Sequence, residues 1–406
     1  MKAAGVVVEY NPFHNGHLHH LLESKNATGA DLVIAIMSGN FLQRGEPALV
    51  DKWTRARMAL EAGVDLVVEL PYSFATQHAE VFAYGAISLL NALRCESFCF
   101  GSESGNISAF ETTADQISRY RDQYDLKVQD YIKQGMSYPS ALSSAYQELN
   151  LSNHLIDLSQ PNNILGFHYI EARNKIESSM KAFTISRKNA GYHDQSFTSS
   201  NVASATSIRK SIFSEDGGLS KISPFVPSTT LKALQAYRKR YGDLHGWEMY
   251  WPLLKYRLLS STAEELRVIY EIEEGIENRL KNCAKTSFSF YEYMEKVKTK
   301  RYTWTRIQRM SLHILTNTTK QAMMDRHTEP KYIRLLGMSS IGTRYLNKIK
   351  KEITLPIVST ISKGNPSDTF LDRKASEIYS LGHIEPEKQA DLYRKEYATP
   401  PIIVSR

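Results

Sequence analysis

Residues 6–22 read VVVEYNPFHNGHLHHLL, and the division of this stretch decides the fold. Val6, Val7 and Val8 continue the apolar run begun at Ala3 without alternation, the pattern of a strand covered on both faces. Pro12 and Gly16 interrupt the run. The following HNGHLHHLLESKNAT reads as a helix, with Gly29 placed to end it. A buried strand that passes through a short loop into a helix is the βα step of a parallel sheet. Such sheets bind ligands in that loop, at the carboxyl ends of their strands.

Four histidines crowd the loop and helix start: His14, His17, His19 and His20. His14 and His17 are three apart and share the first helical turn. The free N–H groups and the dipole at a helix N-terminus favour an anion. Gly16 lets a phosphate or an adenine come close to the backbone. Imidazoles there can donate to phosphate oxygens as charge builds on a departing pyrophosphate. A zinc site on a helix uses i, i+4 histidines with an acidic or cysteine ligand, and neither HExxH nor CxxC is present. Phosphate binding by His14 and His17 is therefore the expectation, no metal site is expected, and His19 and His20 are assigned to helix surface or support.

Outward from this stretch the pattern repeats. DLVIAIMSG, VDLVVELP and ESFCFGSESG read as further buried strands, separated by the helices DKWTRARMALEAG and QHAEVFAYGAISLLNAL. Residues from about 103 to 158 turn polar and helical and read as an insertion. PNNILGFHYIEARNKI (helix), KAFTISRK (strand) and SATSIRKSIF (helix) then resume the alternation. The expected fold is α/β, a doubly wound parallel sheet over residues 1–215. A glycine-bearing linker at 216–230 leads to a mainly helical part over 231–406, in which LPIVSTIS reads as a lone strand.

The chain has 406 residues, enough for two or three domains, with 42% hydrophobic residues and no run long enough to span a membrane. Its N-terminus reads as a buried strand, not a signal peptide. Three cysteines, Cys95, Cys99 and Cys283, suggest no disulfide framework and a reducing, cytoplasmic setting. Charge is split unevenly. Residues 1–230 carry 19 Lys+Arg against 23 Asp+Glu, while residues 231–406 carry 31 against 20. A polyanionic partner is thus sought in the second part.

The second motif is SATSIR: Ser204, Ala205, Thr206, Ser207, Ile208 and Arg209. Its hydroxyls cap a helix and can meet phosphate, and Arg209 can reach the β- and γ-phosphates. With HxGH, this pair of motifs resembles the HxGH nucleotidyltransferases. The fuller strings VVEYNPFHNGHLHH, MSGNFLQRGEPALVDKWTRARMAL, DLVVELP, QHAEVFAYGA, FGSESG, PNNILGFHYI, KRYTWTRIQRM and RLLGMSSIGTRYL resemble one branch of it, the bacterial tRNA(Met) cytidine acetate ligase family. The resemblance implies a Rossmann-like fold and a ligase that activates acetate with ATP, accompanied by Mg2+. It then acetylates N4 of the wobble cytidine in elongator tRNA(Met).

The resemblance also implies site residues. His14 and His17 would be catalytic. The ATP loop would be Val7, Val8, Glu9, Tyr10, Asn11, Pro12, Phe13, His14, Asn15, Gly16, His17, Leu18, His19 and His20, joined by Gly101, Asn162, Arg187, Lys188, Thr206 and Arg209. Ser38 and Asn40 also fall at the ligand edge. Glu9 and Tyr10 could line an acetate pocket, or Glu9 could orient a histidine. For tRNA, Lys296, Lys298, Lys300, Arg301, Arg306 and Arg309 lie together with no acidic residue among them, interleaved with Tyr302 and Trp304. Cations grip phosphate and aromatics stack on unpaired bases. A second basic group is Lys331, Arg334, Arg344, Lys348, Lys350 and Lys351. The residues alone leave two alternatives: an adenylyltransferase acting on a small phosphorylated metabolite, and a non-catalytic RNA-binding protein.

Overall fold

A computed structural model describes residues 1–136, 138–149, 156–187, 201–273, 275–326 and 328–405. The chain opens with β1 (Ala3–Val8), α1 (Asn15–Thr28), β2 (Leu32–Ser38), α2 (Lys52–Ala62), β3 (Leu66–Leu70), α3 (Tyr72–Ala75), α4 (Ala79–Ala92) and β4 (Ser97–Ser102). Helices α5 (Ile107–Arg119), α6 (Arg121–Lys133) and α7 (Tyr138–Glu148) form the insertion, and α8 (Pro161–Lys175), β5 (Lys181–Ser186) and α9 (Ala205–Phe213) resume the alternation. Next come α10 (Ser228–Tyr241), α11 (Trp247–Ser260), α12 (Ala263–Arg267), α13 (Ile276–Thr286), α14 (Phe290–Val297), α15 (Trp304–Leu315) and α16 (Lys320–Met324). The chain closes with β6 (Ile333–Ser339), α17 (Ser340–Ile349), β7 (Ile357–Val358), α18 (Phe370–Ser380), α19 (Pro386–Ala398) and β8 (Ile402–Val404).

Strands β1 to β5 lie where the apolar runs placed them. The sheet order is β5-β4-β1-β2-β3-β6-β7, with β8 also on β6. The pairings β1–β2, β1–β4, β2–β3 and β4–β5 are parallel. Alternate residues feed two cores, as a doubly covered sheet requires. Ile34, Ile36, Leu66 and Val68 join the core on the α4 side, while Val33, Ala35, Met37 and Val67 join the core on the α2 side.

The second part departs from expectation in one respect. β6 pairs antiparallel with β3, so the chain returns to the first sheet, and β7 and β8 add to β6. LPIVSTIS is therefore not a lone strand. Leu335 and Leu336 enter the two opposite cores, so the chain after the 216–230 linker does not form a separate layer. The region with a helical core of its own is centred on α11, α13, α14 and α15, around Tyr250, Leu280, Tyr293 and Met310. Among the described residues no helix is long and apolar enough to cross a membrane.

A candidate nucleotide-binding site

The site grows from the end of β1. Tyr10 leaves the strand with φ 51, a left-handed conformation that costs a non-glycine residue energy, and its ring is buried. Asn11 accepts from the Leu49 N–H at 2.7 Å. Arg55, fully buried, donates to the carbonyls of Glu9 (2.7 Å), Ser38 (3.0 Å), Val50 (3.2 Å) and Gly39. One guanidinium thus ties the ends of β1 and β2 to the loop between β2 and α2.

His14 is the N-cap of α1. Its Nδ1 accepts from the Gly16 N–H (3.0 Å), and the His17 Nδ1 accepts from the His14 N–H (3.3 Å). The two rings stack with centroids 3.7 Å apart. An Nδ1 that accepts leaves the ring proton on Nε2, an assignment made from the hydrogen-bond pattern. His14 is then a neutral Nε2–H donor, whereas the one ring proton of neutral His17 is engaged by the Pro12 carbonyl. Burial pushes His14 down to about 3, helped by the Arg187 and Arg209 charges. Burial also holds His17 well below its ordinary range, with His14, Arg187 and His20 adding to the effect and a bond to the Pro12 carbonyl opposing it. His20 is pushed down to about 4 by burial, then by Arg187 and His19. A Cβ on Gly16 would stand 2.8 Å from His14 Cε1, so this glycine lets the capping ring fold over the turn.

Around the rings lie Gly101, Asn162, Arg187 and Arg209. A Cβ on Gly101 would meet Arg187 Cγ at 3.4 Å and His20 Cδ2 at 3.7 Å. Asn162 accepts from Arg187 (2.9 Å) and donates to Glu103 (2.6 Å). Glu103 also accepts from the Asn163 N–H at 2.8 Å, supporting the start of α8. Ser204 caps α9 by accepting from the Ser207 N–H at 3.1 Å, and Thr206 is exposed on its first turn. Arg209 donates to the Asn11 carbonyl (3.1 Å) and to Glu46 (2.7 Å), so its guanidinium spans from the histidine loop to the loop after β2. Lys188 lies outside the described residues.

Other assignments change. Asn15 donates to the carbonyls of Asn201 and Pro224, both at 2.9 Å, and so braces the segments before and after α9. Val8, Asn11, Pro12 and Phe13 are buried framework, Val7 packs on the first core and Leu18 on the second. His19 is half-buried. Asn40 accepts from the Lys52 N–H (2.9 Å) and donates to Ser376 (3.3 Å), and Ser38 is fully buried. Asn40 thus ties α2 to α18, and the Ser38 carbonyl accepts from Arg55. Half-buried Glu9 accepts from the Gln43 N–H at 2.7 Å, and desolvation pushes its carboxyl up. Glu46, Arg55 and Glu103 escaped sequence reasoning because their partners come from distant segments. Among the described residues no group of three or more His, Cys, Asp or Glu could hold a metal.

The basic surface also sorts itself. Lys298, Lys300 and Arg301 are exposed between α14 and α15, and Lys296 is held by Glu292. Arg306 lies 5.0 Å over the Tyr302 ring and 3.9 Å from Glu273. Tyr302 is buried and Trp304 packs on Tyr291, so Tyr302 does not offer a face to RNA. Arg309 is paired with Glu271 at 2.7 Å, both 11% exposed, and is removed from the RNA set because its charge is neutralised inside the fold. Arg334 is 1% exposed near Glu396 and leaves the second group for the same reason. Lys331 pairs with Glu329, whereas Arg344, Lys348, Lys350 and Lys351 are exposed. A shallow cavity of about 600 Å3 beside Glu111, Arg173 and Lys181 opens at the amino end of β5, the opposite edge from the histidines, and takes no part in this site.

Stacked neutral imidazoles at a helix N-terminus, flanked by two arginines at the carboxyl edge of a parallel sheet, define a nucleotidyltransferase-type ATP site. The HIGH Nucleotidyl Transferase family model matches residues 1–393. The chain is 49% identical to the tRNA(Met) cytidine acetate ligase of Geobacillus sp. (strain WCH70), over 99% of this chain and 100% of the relative. It is 46% identical to that of Bacillus subtilis (strain 168), over 99% of this chain and 97% of the relative. The crystal structure of Thermotoga maritima TmcAL (apo, form I) matches at 34% identity with a TM-score of 0.92, covering 100% of both chains. TmcAL bound with alpha-thio ATP (form II) matches at 33% identity with a TM-score of 0.90, again covering 100% of both. The chain belongs to the HIGH nucleotidyl transferase family and, within it, to the tRNA(Met) cytidine acetate ligases.

Proposed function

We propose that this chain is an ATP-dependent ligase that acetylates N4 of the wobble cytidine of elongator tRNA(Met). Cytosine's exocyclic amine is a poor nucleophile, so acetate is first activated. An acetate oxygen attacks the α-phosphorus of ATP, the bond to the bridging oxygen breaks, and pyrophosphate leaves. Then N4 attacks the acetyl carbon of acetyl-adenylate, loses a proton, and AMP departs. The observation that carries the first step is the His14–His17 stack. It offers the uncharged His14 Nε2–H, which needs no protonation at neutral pH and is held against the His17 ring, next to the Arg187 and Arg209 charges. Fixed donors aimed at developing charge lower the barrier without reorganisation.

Glu9, Glu46 and Glu103 are each engaged by a backbone N–H or a cation. Magnesium, when it accompanies ATP, would neutralise phosphate charge as pyrophosphate leaves. Exposed Lys298, Lys300 and Arg301 serve the tRNA backbone, as do Arg344 and Lys348 on α17 and Lys350 and Lys351 just after it. Cys95, Cys99 and Cys283 are unpaired, in keeping with an enzyme that meets its tRNA in the cytoplasm. Adenylyl transfer to a small phosphorylated metabolite gives no role to these cations and is not favoured by relatives matched over their full length.

The test is ATP–pyrophosphate exchange with and without acetate, followed by acetyl transfer to tRNA. Exchange that depends on acetate, with acetyl-cytidine formed on tRNA, is expected. Exchange indifferent to acetate would refute the reading.

A further inference from the structure

Two large aromatic rings stand in water beside the most basic stretch of the chain. Phe288 is 90% exposed and Tyr291 is 61% exposed. Phe288 occupies the corner between α13 and α14, one residue before the N-cap Ser289. Two ammonium groups bracket that corner. Lys255 Nζ donates to the Ser287 carbonyl at 2.8 Å, and Lys296 Nζ donates to the Thr286 carbonyl at 2.7 Å. Tyr291 lies in the first turn of α14 with its ring 5.6 Å from that of Trp304. Lys298, Lys300 and Arg301 follow, exposed, before α15 begins. Three carboxylates lie nearby and each is engaged: Lys296 and the Phe288 N–H hold Glu292, the Tyr291 hydroxyl bonds Glu295, and the Phe290 and Tyr291 N–H groups donate to Glu248.

A phenyl ring left this exposed contributes nothing to the core and keeps apolar area in water. We propose that Phe288 and Tyr291 form a stacking platform for unpaired bases of the substrate tRNA, with Lys255 and Lys296 beside it and Lys298 and Lys300 on the adjoining backbone. This rests on the tRNA reading above. Ring faces stack on any base, while ammonium groups hold phosphate without reading sequence, and the corner has both. Buried Tyr302 cannot do this.

The platform is also connected to the ATP site. Helix α15 starts at Trp304, which packs on Tyr291, and carries Arg309 in its second turn. A Cβ on Gly45 would come within 2.5 Å of the Arg309 backbone nitrogen, so the loop after β2 rests on this helix. At about 1.5 Å rise per residue, Trp304 stands about 8 Å along the axis from that contact. The same loop supplies Gln43 to Glu9 and Glu46 to Arg209. RNA stacked at the corner therefore lies along a helix that leads to the rim of the histidine site.

The test uses the full chain with Phe288→Ala and Tyr291→Ala. Both rings are surface groups, so the variants keep the fold. Binding of a tRNA(Met) transcript and of a fully paired RNA duplex is measured over a range of salt concentrations, together with ATP–pyrophosphate exchange. Each variant should weaken tRNA binding about tenfold. The salt slope, duplex affinity and exchange should not change, and Phe288→Trp should restore binding. Unchanged tRNA affinity in both variants overturns the platform. So does an equal loss on duplex RNA, which would mark a surface that reads only charge and shape. A wild-type dimer that Phe288→Ala converts to monomer without RNA would assign the rings to a second copy of this chain and overturn it too. Wild-type enzyme that cannot acetylate tRNA would refute the functional reading, while the platform is judged separately by tRNA binding.

Discussion

His14→Asn separates the two duties of one residue. His14 caps α1 through Nδ1 and, in the reaction proposed above, presents Nε2–H to the phosphates. Asparagine is among the best N-caps, so the variant keeps the helix start, whereas alanine forfeits about 1 kcal/mol of cap. What asparagine lacks is a donor at the position of Nε2. Losing one preorganised donor to a developing oxyanion lowers turnover about 10²–10³-fold. The expectation is therefore acetate-dependent ATP–pyrophosphate exchange reduced by about that factor in His14→Asn. Unfolding in urea and tRNA affinity should match wild type. His14→Ala should show the same kinetic loss together with a lower denaturation midpoint. If His14→Asn exchanges at nearly the wild-type rate while His14→Ala does not, the residue acts only as a cap and the phosphate role is wrong.

Three further outcomes are expected. Lys52, fully buried, bonds Glu69 and Glu396, each at 2.7 Å, and Lys52→Ala leaves those two buried carboxylates with Arg334 alone, 3.8 Å from Glu396. It should lose about 3–5 kcal/mol in urea denaturation, and a loss no larger than that of a surface lysine would refute the network. His14 and His20 have folded pKa values pushed down to about 3 and about 4, below their ordinary value of 6.5. Their neutral forms are favoured in the fold, so their stabilisation is complete above the unfolded value of 6.5 and declines as pH falls toward 4 and then 3. The denaturation midpoint should drop over that window, less steeply in His14→Asn, and a flat profile would contradict neutral burial. Lys298→Ala combined with Lys300→Ala should reduce the slope of log affinity for tRNA against log salt by about 2 and leave exchange intact. An unchanged slope would remove these lysines from the interface.

Much of the catalytic half was legible in order along the chain. The apolar runs that became β1 to β4 carry their signal within five to seven consecutive residues, because a strand buried on both faces takes apolar side chains at nearly every position, Glu69 of β3 being matched by Lys52. The HxGH turn is equally local, since His14, Gly16 and His17 act through neighbouring backbone groups. Glu103 and Glu46 were not legible. Their roles rest on Asn162 and Arg209, which approach only when the sheet forms.

The sequence by itself determined the α/β alternation, the place of the nucleotide loop and the excess of positive charge after residue 231, all properties of residue order. Tertiary structure decided what that charge is available for. Arg309 and Arg334 carry the same charge as Lys298 and Lys300, yet Glu271 and Glu396 meet them inside the fold, while the lysines stay in solvent. It also decided that Ile333–Ser339 joins β3 as an antiparallel strand, because pairing is settled by which edge is open when the chain returns. And it left Phe288 outside, where no periodicity in the sequence marks a lone aromatic as exposed.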